Sequence, residues 1–291
     1  MNSFRYQKAG NISEALKWSK ESQAYYLAGG TDLLGKIKTE RIKPSVLIDL
    51  KKIPGLRGIS FYDDRAEIGP LTTIREIEIS PQVKERLPIL SSASGKLGSV
   101  QVRNKATIGG NICNAAPSAE TVPALLCLDT VAEIVGPTGV RQIPLDYFFI
   151  GPGQTILQNG EILRKLIVKV PPTTSRGIYH KLSVRRAMDI AFVGVAVLLE
   201  VVAGKIAHAR IGLGAVAPVP MRVPQAENLL AGNFLSKELI TDAAYITAQS
   251  CQPISDIRAS ADYRRLMVKS LIEKALWQIS TTIELPGGEV K

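Results

Sequence analysis

Cysteine and histidine are scarce in this 291-residue chain, which contains three cysteines and two histidines. The cysteines, Cys113, Cys127 and Cys251, lie far apart and form no C-x-x-C pair. This argues against a disulfide framework, and against a zinc or iron–sulfur site built from this chain alone. With only His180 and His208, the sequence also offers little material for a Ser-His-Asp triad. We therefore predict no metal ligands and no catalytic side chains, so that any chemistry comes from a bound cofactor.

Long apolar runs are also missing. No run reaches the roughly 18 residues of a membrane helix. The longest, Ile190 to Val202, is interrupted by Gly194 and Glu200 and is typical of a buried strand. The N-terminus lacks the apolar core and cleavage site of a signal peptide. The sequence predicts a cytoplasmic protein without a membrane span.

The charge balance is basic, with 36 Lys and Arg against 26 Asp and Glu and a net charge of +10. The basic residues are dispersed and do not interleave with aromatic residues, as they do in nucleic-acid-binding surfaces. Binding of nucleic acid is therefore not predicted. A basic surface suits an acidic partner or an anionic cofactor.

Two glycine pairs lie at predicted strand-to-helix junctions. The first glycine loop is Ala28-Gly29-Gly30-Thr31-Asp32-Leu33, and the second is Thr107-Ile108-Gly109-Gly110-Asn111. Glycine lets backbone amides approach a ligand closely, and consecutive amides can form an anion-binding nest. Neither pair matches the usual dinucleotide or phosphate-loop fingerprint, and either could be a plain tight turn. Taken together, they predict two loops that hold the two phosphates of a dinucleotide.

The alternation of strand and helix patterns predicts three α+β parts, at residues 1–55, 56–174 and 175–291. Asn11 and Glu14 predict the start of a first helix, and Thr31 the N-cap of a second. Asp63-Asp64 predicts a hairpin turn. Residues 81–97 read as mostly helical. A final helix is predicted over 261–279, with the residues on one of its faces buried in the core. These residues are Tyr263, Met267, Leu271 and Ala275.

Three stretches, in this order, resemble the FAD-binding medium subunit of molybdenum hydroxylases: YYLAGGTDLL, SVQVRNKATIGGNICNAAPSAETVPALLCLD and KLSVRRAMDIAFVGVAV. The family includes the flavoprotein subunits of carbon monoxide dehydrogenase and the flavin domain of xanthine dehydrogenase. The resemblance implies an α+β fold of two subdomains that clasp FAD, similar to vanillyl-alcohol oxidase, plus a smaller C-terminal domain. It also implies an oxidoreductase subunit that receives electrons from the [2Fe–2S] small subunit. By the same resemblance, a molybdopterin-containing large subunit is expected to oxidise the substrate, and NAD, a quinone or O₂ is expected to accept the electrons from FAD.

The resemblance also implies the residues that contact FAD. The two glycine loops correspond to those that bind the diphosphate and the adjacent sugar. Glu120 stands where the family usually has an aspartate that bonds sugar hydroxyls; like Asp32, it could equally cap a helix. Lys181 is expected near the flavin edge, and Arg103 either at phosphate or against a neighbouring subunit. The full predicted set is Ala28, Gly29, Gly30, Thr31, Asp32, Leu33, Thr107, Ile108, Gly109, Gly110, Asn111, Ser118, Glu120, Lys181, Asp189 and Ile190.

Two other functions stay open at this point: a scaffold subunit with weak or lost FAD, and a stand-alone flavin oxidase. Both intact glycine loops argue against the first. The match through ASADYRRLMVKSLIEKAL, near the C-terminus, argues against the second. Ile190 replaces the tyrosine usual in carbon monoxide dehydrogenases, and the cysteine-rich insert of the 4-hydroxybenzoyl-CoA reductases is missing. A dimer of heterotrimers is the family expectation.

Overall fold

The computed structural model describes residues 3–185 and 188–282 of the chain. Helices and strands are mixed throughout, and the strands form four sheets. The α+β class predicted from the sequence is confirmed.

The first unit is a small parallel sheet in the order β1-β3-β2, with short helices between its strands. Asn11 caps its first helix by accepting a hydrogen bond from the backbone of Glu14, as predicted. The second helix begins one residue later than predicted, because Asp32 rather than Thr31 occupies the N-cap position. The elements are β1 Arg5–Lys8, α1 Ile12–Trp18, β2 Ala24–Leu27, α2 Leu33–Lys38 and β3 Val46–Asp49.

The second unit is a five-stranded antiparallel sheet in the order β4-β5-β10-β6-β7, covered by six short helices. The predicted hairpin at Asp63-Asp64 is present between β4 and β5. A 3-10 turn spans Leu145–Tyr147, and a two-stranded β8-β9 ribbon follows it. The elements are β4 Ile59–Phe61, β5 Arg65–Ile68, α3 Ile74–Ile79, α4 Pro81–Arg86, α5 Pro88–Gly95, α6 Val100–Arg103, α7 Ile108–Cys113, α8 Thr121–Cys127, β6 Val131–Gly136, β7 Gly139–Pro144, β8 Phe149–Gly151, β9 Gln154–Thr155 and β10 Ile162–Lys169.

The segment 81–97 is mostly helical, as predicted, and consists of two helices, α4 and α5, which meet at Leu87. Leu87 has φ −133° and ψ 51°, outside the helical region. The next residue is Pro88, whose ring disfavours a helical conformation in the residue before it. The apolar pattern continues across the break, because Leu87 and Leu90 are both fully buried.

The C-terminal unit is a four-stranded antiparallel sheet in the order β11-β12-β13-β14, packed against three helices. Its strand β12 covers most of the long apolar run and lies between two other strands, as a buried strand should. In the last helix Leu271 and Ala275 are buried as predicted, but Tyr263 is 45 % exposed. The elements are β11 Ser175–Leu182, β12 Val193–Val202, β13 Lys205–Gly214, β14 Met221–Arg222, α9 Pro224–Leu230, α10 Lys237–Gln249 and α11 Ala261–Ser280.

A close backbone contact and a charge network join the second and C-terminal units. A Cβ on Gly212 would lie 2.2 Å from the carbonyl oxygen of Pro123, so β13 approaches α8 at backbone distance. Asp129, which follows α8, accepts hydrogen bonds from Arg210 and Arg222 at 3.0 and 3.2 Å. These contacts connect the C-terminal sheet to the helix that follows the second glycine loop.

Within the described ranges, 3–185 and 188–282, no helix is both long and apolar enough to cross a membrane.

Candidate functional site

A cavity of about 430 Å³ lies between the first and second units. Its size is within the range typical of small-molecule and cofactor sites. Both glycine loops line it. The predicted site residues at its wall are Ala28, Gly29, Gly30, Thr31, Asp32, Leu33, Thr107, Gly109, Gly110 and Asn111. The predicted residues away from its wall are Ile108, Ser118, Glu120, Lys181, Asp189 and Ile190.

The first glycine loop follows β2 and lies at the cavity wall, where its backbone N–H groups have no hydrogen-bond acceptor in the described part of the protein. In the described ranges, the N–H groups of residues 29–32 donate to no other protein group. Gly30 has φ +74°, a left-handed conformation that glycine adopts without strain. Four successive free amides at a cavity wall can bind an anion such as a phosphate.

Gly29 is required by how closely the two loops approach each other. A Cβ on this residue would lie 1.9 Å from the carbonyl oxygen of Lys105, which precedes the second loop. Real Cβ atoms do not approach a backbone oxygen so closely, and neither partner is a flexible side chain. The first unit therefore meets the second at backbone contact distance beside the cavity.

The amides of the second glycine loop, in contrast, are already engaged. They hold α7 onto the preceding chain, and the side chain of Thr107 caps the helix. Their partners are Thr72 O for Ile108, Pro70 O for Gly109, Thr107 Oγ1 for Gly110 and Thr107 O for Asn111, at 2.9 to 3.1 Å. An anion in the cavity would therefore meet the free amides of the first loop and the side chains of the second.

One charged cluster lines the cavity beside the first loop. The Lys36 ammonium lies 2.6 Å from the Asp32 carboxylate and donates to the side-chain oxygen of Asn114 at 2.7 Å. The Asp32 side chain makes no capping hydrogen bond to α2. It pairs with Lys36 instead, so Asp32 occupies the N-cap position of α2 without a capping hydrogen bond from its side chain. This cluster connects α2 of the first unit to the end of α7 in the second.

A second charged cluster lies outside the cavity wall. The Lys181 ammonium donates to the Glu120 carboxylate at 2.9 Å, and to the backbone oxygens of Lys96 and Asp189 at 3.0 and 2.7 Å. The two charged side chains are only 8 % and 11 % exposed. Burial raises the pKa of Glu120, against the opposing effect of the Lys181 ammonium. Glu120 likewise occupies the N-cap position of α8 without a capping hydrogen bond from its side chain.

Asp189 and Ile190 follow the turn that the Lys181 ammonium holds. The Asp189 carboxylate accepts hydrogen bonds from the backbone of Arg185 and Ile190 at 2.7 and 2.9 Å. Its pKa is lowered, mainly by the bond from Arg185. Ile190 is 50 % exposed. Ser118 is half-buried in the turn between α7 and α8.

Arg103 has neither of the roles predicted for it. It is 8 % exposed and donates to both carboxylate oxygens of Glu78, at 2.7 and 3.0 Å, and to Leu97 O at 2.9 Å. These contacts tie α6 to α3 inside the second unit. The guanidinium therefore pairs with groups inside this chain rather than with a phosphate or a neighbouring subunit.

The three cysteines are free and separate. Cys113 lines the cavity, and burial raises the pKa of its thiol to about 12. Burial likewise raises the pKa of the other two thiols. Protonated thiols are poor nucleophiles and poor metal ligands at neutral pH. Among the residues that the structure describes, no three His, Cys, Asp or Glu side chains are grouped to hold a metal ion.

Several residues at the cavity were not singled out from the sequence. Lys36 was detectable in principle, because it follows Asp32 by four residues in the helix after the first loop. Tyr25 and Tyr26 precede the first loop in β2, and Asn114 follows the second loop at the end of α7. Gly153, Leu157, Glu161 and Ile162 come from distant segments, and no local signal marks them.

Comparison with known families accounts for nearly the whole chain. Residues 2–172 match the FAD binding domain in molybdopterin dehydrogenase, and residues 178–279 match the CO dehydrogenase flavoprotein C-terminal domain. The carbon monoxide dehydrogenase medium chain of Hydrogenophaga pseudoflava is 33 % identical, over 94 % of this chain and 96 % of its own length. The putative xanthine dehydrogenase FAD-binding subunit of Escherichia coli K12 is 32 % identical over 98 % of both chains.

Solved structures agree with the sequence comparison. The chain superposes with a TM-score of 0.92 on carbon monoxide dehydrogenase from Hydrogenophaga pseudoflava, at 33 % identity over 95 % of this chain and 98 % of that one. Quinoline 2-oxidoreductase from Pseudomonas putida 86 gives a TM-score of 0.91 at 26 % identity, over 97 % and 98 % of the two chains.

Proposed function

Because this chain belongs to the family of FAD-binding subunits of molybdopterin dehydrogenases, we propose that it carries electrons from iron–sulfur clusters of a partner subunit, through FAD, to an external acceptor. As a member of that family it is an oxidoreductase flavoprotein subunit, and its cofactor is FAD. The observation that supports the proposal most is the cavity, which both glycine loops line and where four backbone amides are unclaimed.

The donors at the cavity suit a dinucleotide diphosphate. Free amides of residues 29–32 can donate to phosphate oxygens, and Lys36 adds a positive charge. The absence of a side chain at Gly29 lets the two loops close around the ligand. We assign the diphosphate and the adjacent sugar to residues 28–33 and 107–111. Ser118, Glu120, Lys181, Asp189 and Ile190 are assigned to the ribityl and ring side.

FAD, when bound, supplies electron-transfer chemistry that amino-acid side chains do not provide. The part of this chain is to bind, orient and shield the cofactor. The Lys181 ammonium and the Glu120 carboxylate offset each other's charge. The three contacts of Lys181 join β11 to the end of α5 at Lys96, to the start of α8 at Glu120 and to the turn at Asp189. We assign no acid or base step to either residue.

The remaining cofactors are assigned to partner subunits. The relatives are named medium chains of carbon monoxide dehydrogenase and a medium subunit of nicotine 6-hydroxylase. We propose a molybdopterin-containing large subunit and a [2Fe–2S] small subunit, in a dimer of heterotrimers located in the cytoplasm. The acceptor is NAD, a quinone or O₂. The three domains are proposed to span residues 1–55, 56–174 and 175–291.

The proposal is tested on the complex purified with its co-expressed partner chains. Anaerobic addition of the substrate of the large subunit should bleach the flavin absorbance, after reduction of the iron–sulfur clusters and before the acceptor is consumed. The matched sample lacks this chain and should stop at reduced clusters. If acceptor turnover is the same with and without this chain, electron transfer through it is refuted and a scaffold role remains.

Gly110→Val is expected to lower FAD affinity about tenfold, equivalent to about 1.4 kcal/mol. A Cβ on Gly110 would lie 2.9 Å from Thr107 Oγ1, so the substitution disturbs the cap of α7 and adds bulk at the cavity wall. Titration of the FAD-depleted complex with FAD, followed by flavin fluorescence, measures the dissociation constant. If this variant binds FAD with the affinity of the parent, the assignment of the second glycine loop to the FAD site is wrong.

A further inference from the structure

We propose that Lys36 is the counter-charge for the FAD diphosphate and that Asn114 positions it. This inference rests on the proposed FAD site and adds residues to it that lie outside both glycine loops. It starts from the place of Lys36 in the fold. The residue lies in the last turn of α2, at the cavity wall, and its side chain is 37 % exposed.

The Lys36 ammonium is held in place but keeps donor capacity. It donates to the side-chain oxygen of Asn114 at 2.7 Å and lies 2.6 Å from Asp32 Oδ2. An ammonium carries three N–H donors. The third has no acceptor within the described parts of the chain. Asn114 belongs to the second unit, so its contact holds the ammonium across the opening between the two units.

The charges at the cavity wall favour this role. The charged side chains there are Asp32, Lys36 and Glu161. Glu161 is 8 % exposed and is paired with Arg141, which lies off the wall, through contacts of 2.8 and 2.7 Å. Among the described residues Lys36 is therefore the one cation at the wall. Without it, a diphosphate beside the first loop would face the Asp32 carboxylate with no compensating side-chain charge at the described cavity wall.

Lys36 thus acts in two ways on an anion in this cavity. It neutralises Asp32, and it offers a charge-assisted donor next to the free amides of residues 29–32. An ordinary surface pair of this i,i+4 type would have a small effect on stability and none on cofactor binding. A measurement of FAD affinity therefore distinguishes a counter-charge for the diphosphate from an ordinary surface ion pair.

The test compares Lys36→Met with Lys38→Met in the purified complex. Lys38 lies on the same helix, carries the same charge, is exposed and is not part of the cavity wall. The dissociation constant of FAD is measured by fluorescence titration of the FAD-depleted complex at several salt concentrations. Lys36→Met should weaken binding about tenfold to hundredfold and flatten its salt dependence, whereas Lys38→Met should stay within about twofold of the parent.

Two further variants sharpen the result. Lys36→Arg keeps the charge and should recover most of the affinity, while Asn114→Ala should lose part of it without a change in net charge. If Lys36→Met binds FAD with the affinity and salt dependence of Lys38→Met, the inference is overturned and the FAD site stands. If the parent complex takes up no FAD at all, the proposed function fails together with the inference.

Discussion

Gly29→Ala is expected to lower the affinity of the chain for FAD by about hundredfold or more, equivalent to about 2.7 kcal/mol. The added Cβ would lie 1.9 Å from Lys105 O and 3.1 Å from the Cα of Ala106. Both neighbours are backbone atoms, so the strain cannot be relieved by a rotamer change. The first loop must move away from the second, and the free amides of residues 29–32 move with it.

Gly35→Ala is the matched control for this experiment. Gly35 lies in α2, six residues further along, and a Cβ there meets no atom within 4 Å. Alanine is favoured over glycine inside a helix by about 1 kcal/mol, so this variant should be at least as stable as the parent and bind FAD normally.

Two measurements are needed, the FAD dissociation constant and the free energy of unfolding of the FAD-free chain. Gly29→Ala should lower both, with the larger effect on FAD. If Gly29→Ala retains FAD at the parent affinity, the two loops do not close around the cofactor as we assign them.

Lys181→Met is expected to destabilise the chain by about 3–5 kcal/mol at neutral pH, the usual result of removing one partner of a buried ion pair. The loss follows from the burial of Glu120, which is 11 % exposed and pairs with Lys181 at 2.9 Å. Without the ammonium, the buried carboxylate has no counter-charge. Its pKa, already raised by burial from the ordinary 4.5, should rise further.

The sign of the pH dependence follows from proton linkage. In the folded variant Glu120 holds its proton at higher pH than in the unfolded chain, so the folded state binds more protons. The free energy of unfolding of Lys181→Met should therefore fall, relative to the parent, as the pH rises above 4.5. Urea unfolding at pH 5 and pH 8 measures this difference.

The double variant Lys181→Met/Glu120→Gln supplies the control. It removes the uncompensated charge, so it should regain most of the stability lost at pH 8 and show no pH dependence from this site. An equal loss at both pH values in the single variant would contradict the assignment of the effect to Glu120. Failure of the double variant to recover would assign the loss to the packing of the Lys181 side chain.

Much of the local structure could be predicted from residues a few positions apart. The cap at Asn11, the hairpin at Asp63-Asp64 and the last helix depend on neighbours in sequence, and all three are present. The segment 81–97 is mostly helical as predicted, although Pro88 divides its apolar pattern between two helices. Tyr263 is the failure, because it lies on the stripe predicted as core and is 45 % exposed.

The site was predictable to a smaller extent. Both glycine loops were found, because glycine pairs between a strand and a helix are visible in the sequence itself. The difference in hydrogen bonding between the two loops could not be predicted. The amides of residues 29–32 have no acceptor in the described part of the chain, whereas those of Gly109 and Gly110 donate to Pro70 O and Thr107 Oγ1 and hold α7 in place. Distant carbonyl oxygens decide that difference, and no spacing in the sequence encodes them.

By itself, the sequence determined the α+β class, the scarcity of metal ligands and the family. Each of these depends on residue types and short spacings. The tertiary structure alone decided which charges meet. Lys36 contacts Asn114, which is 78 residues away in the sequence, and Lys181 contacts Glu120, which is 61 residues away. The physical reason is that a charged side chain pairs with whatever partner folding brings within about 3 Å, and separation along the chain does not restrict that choice.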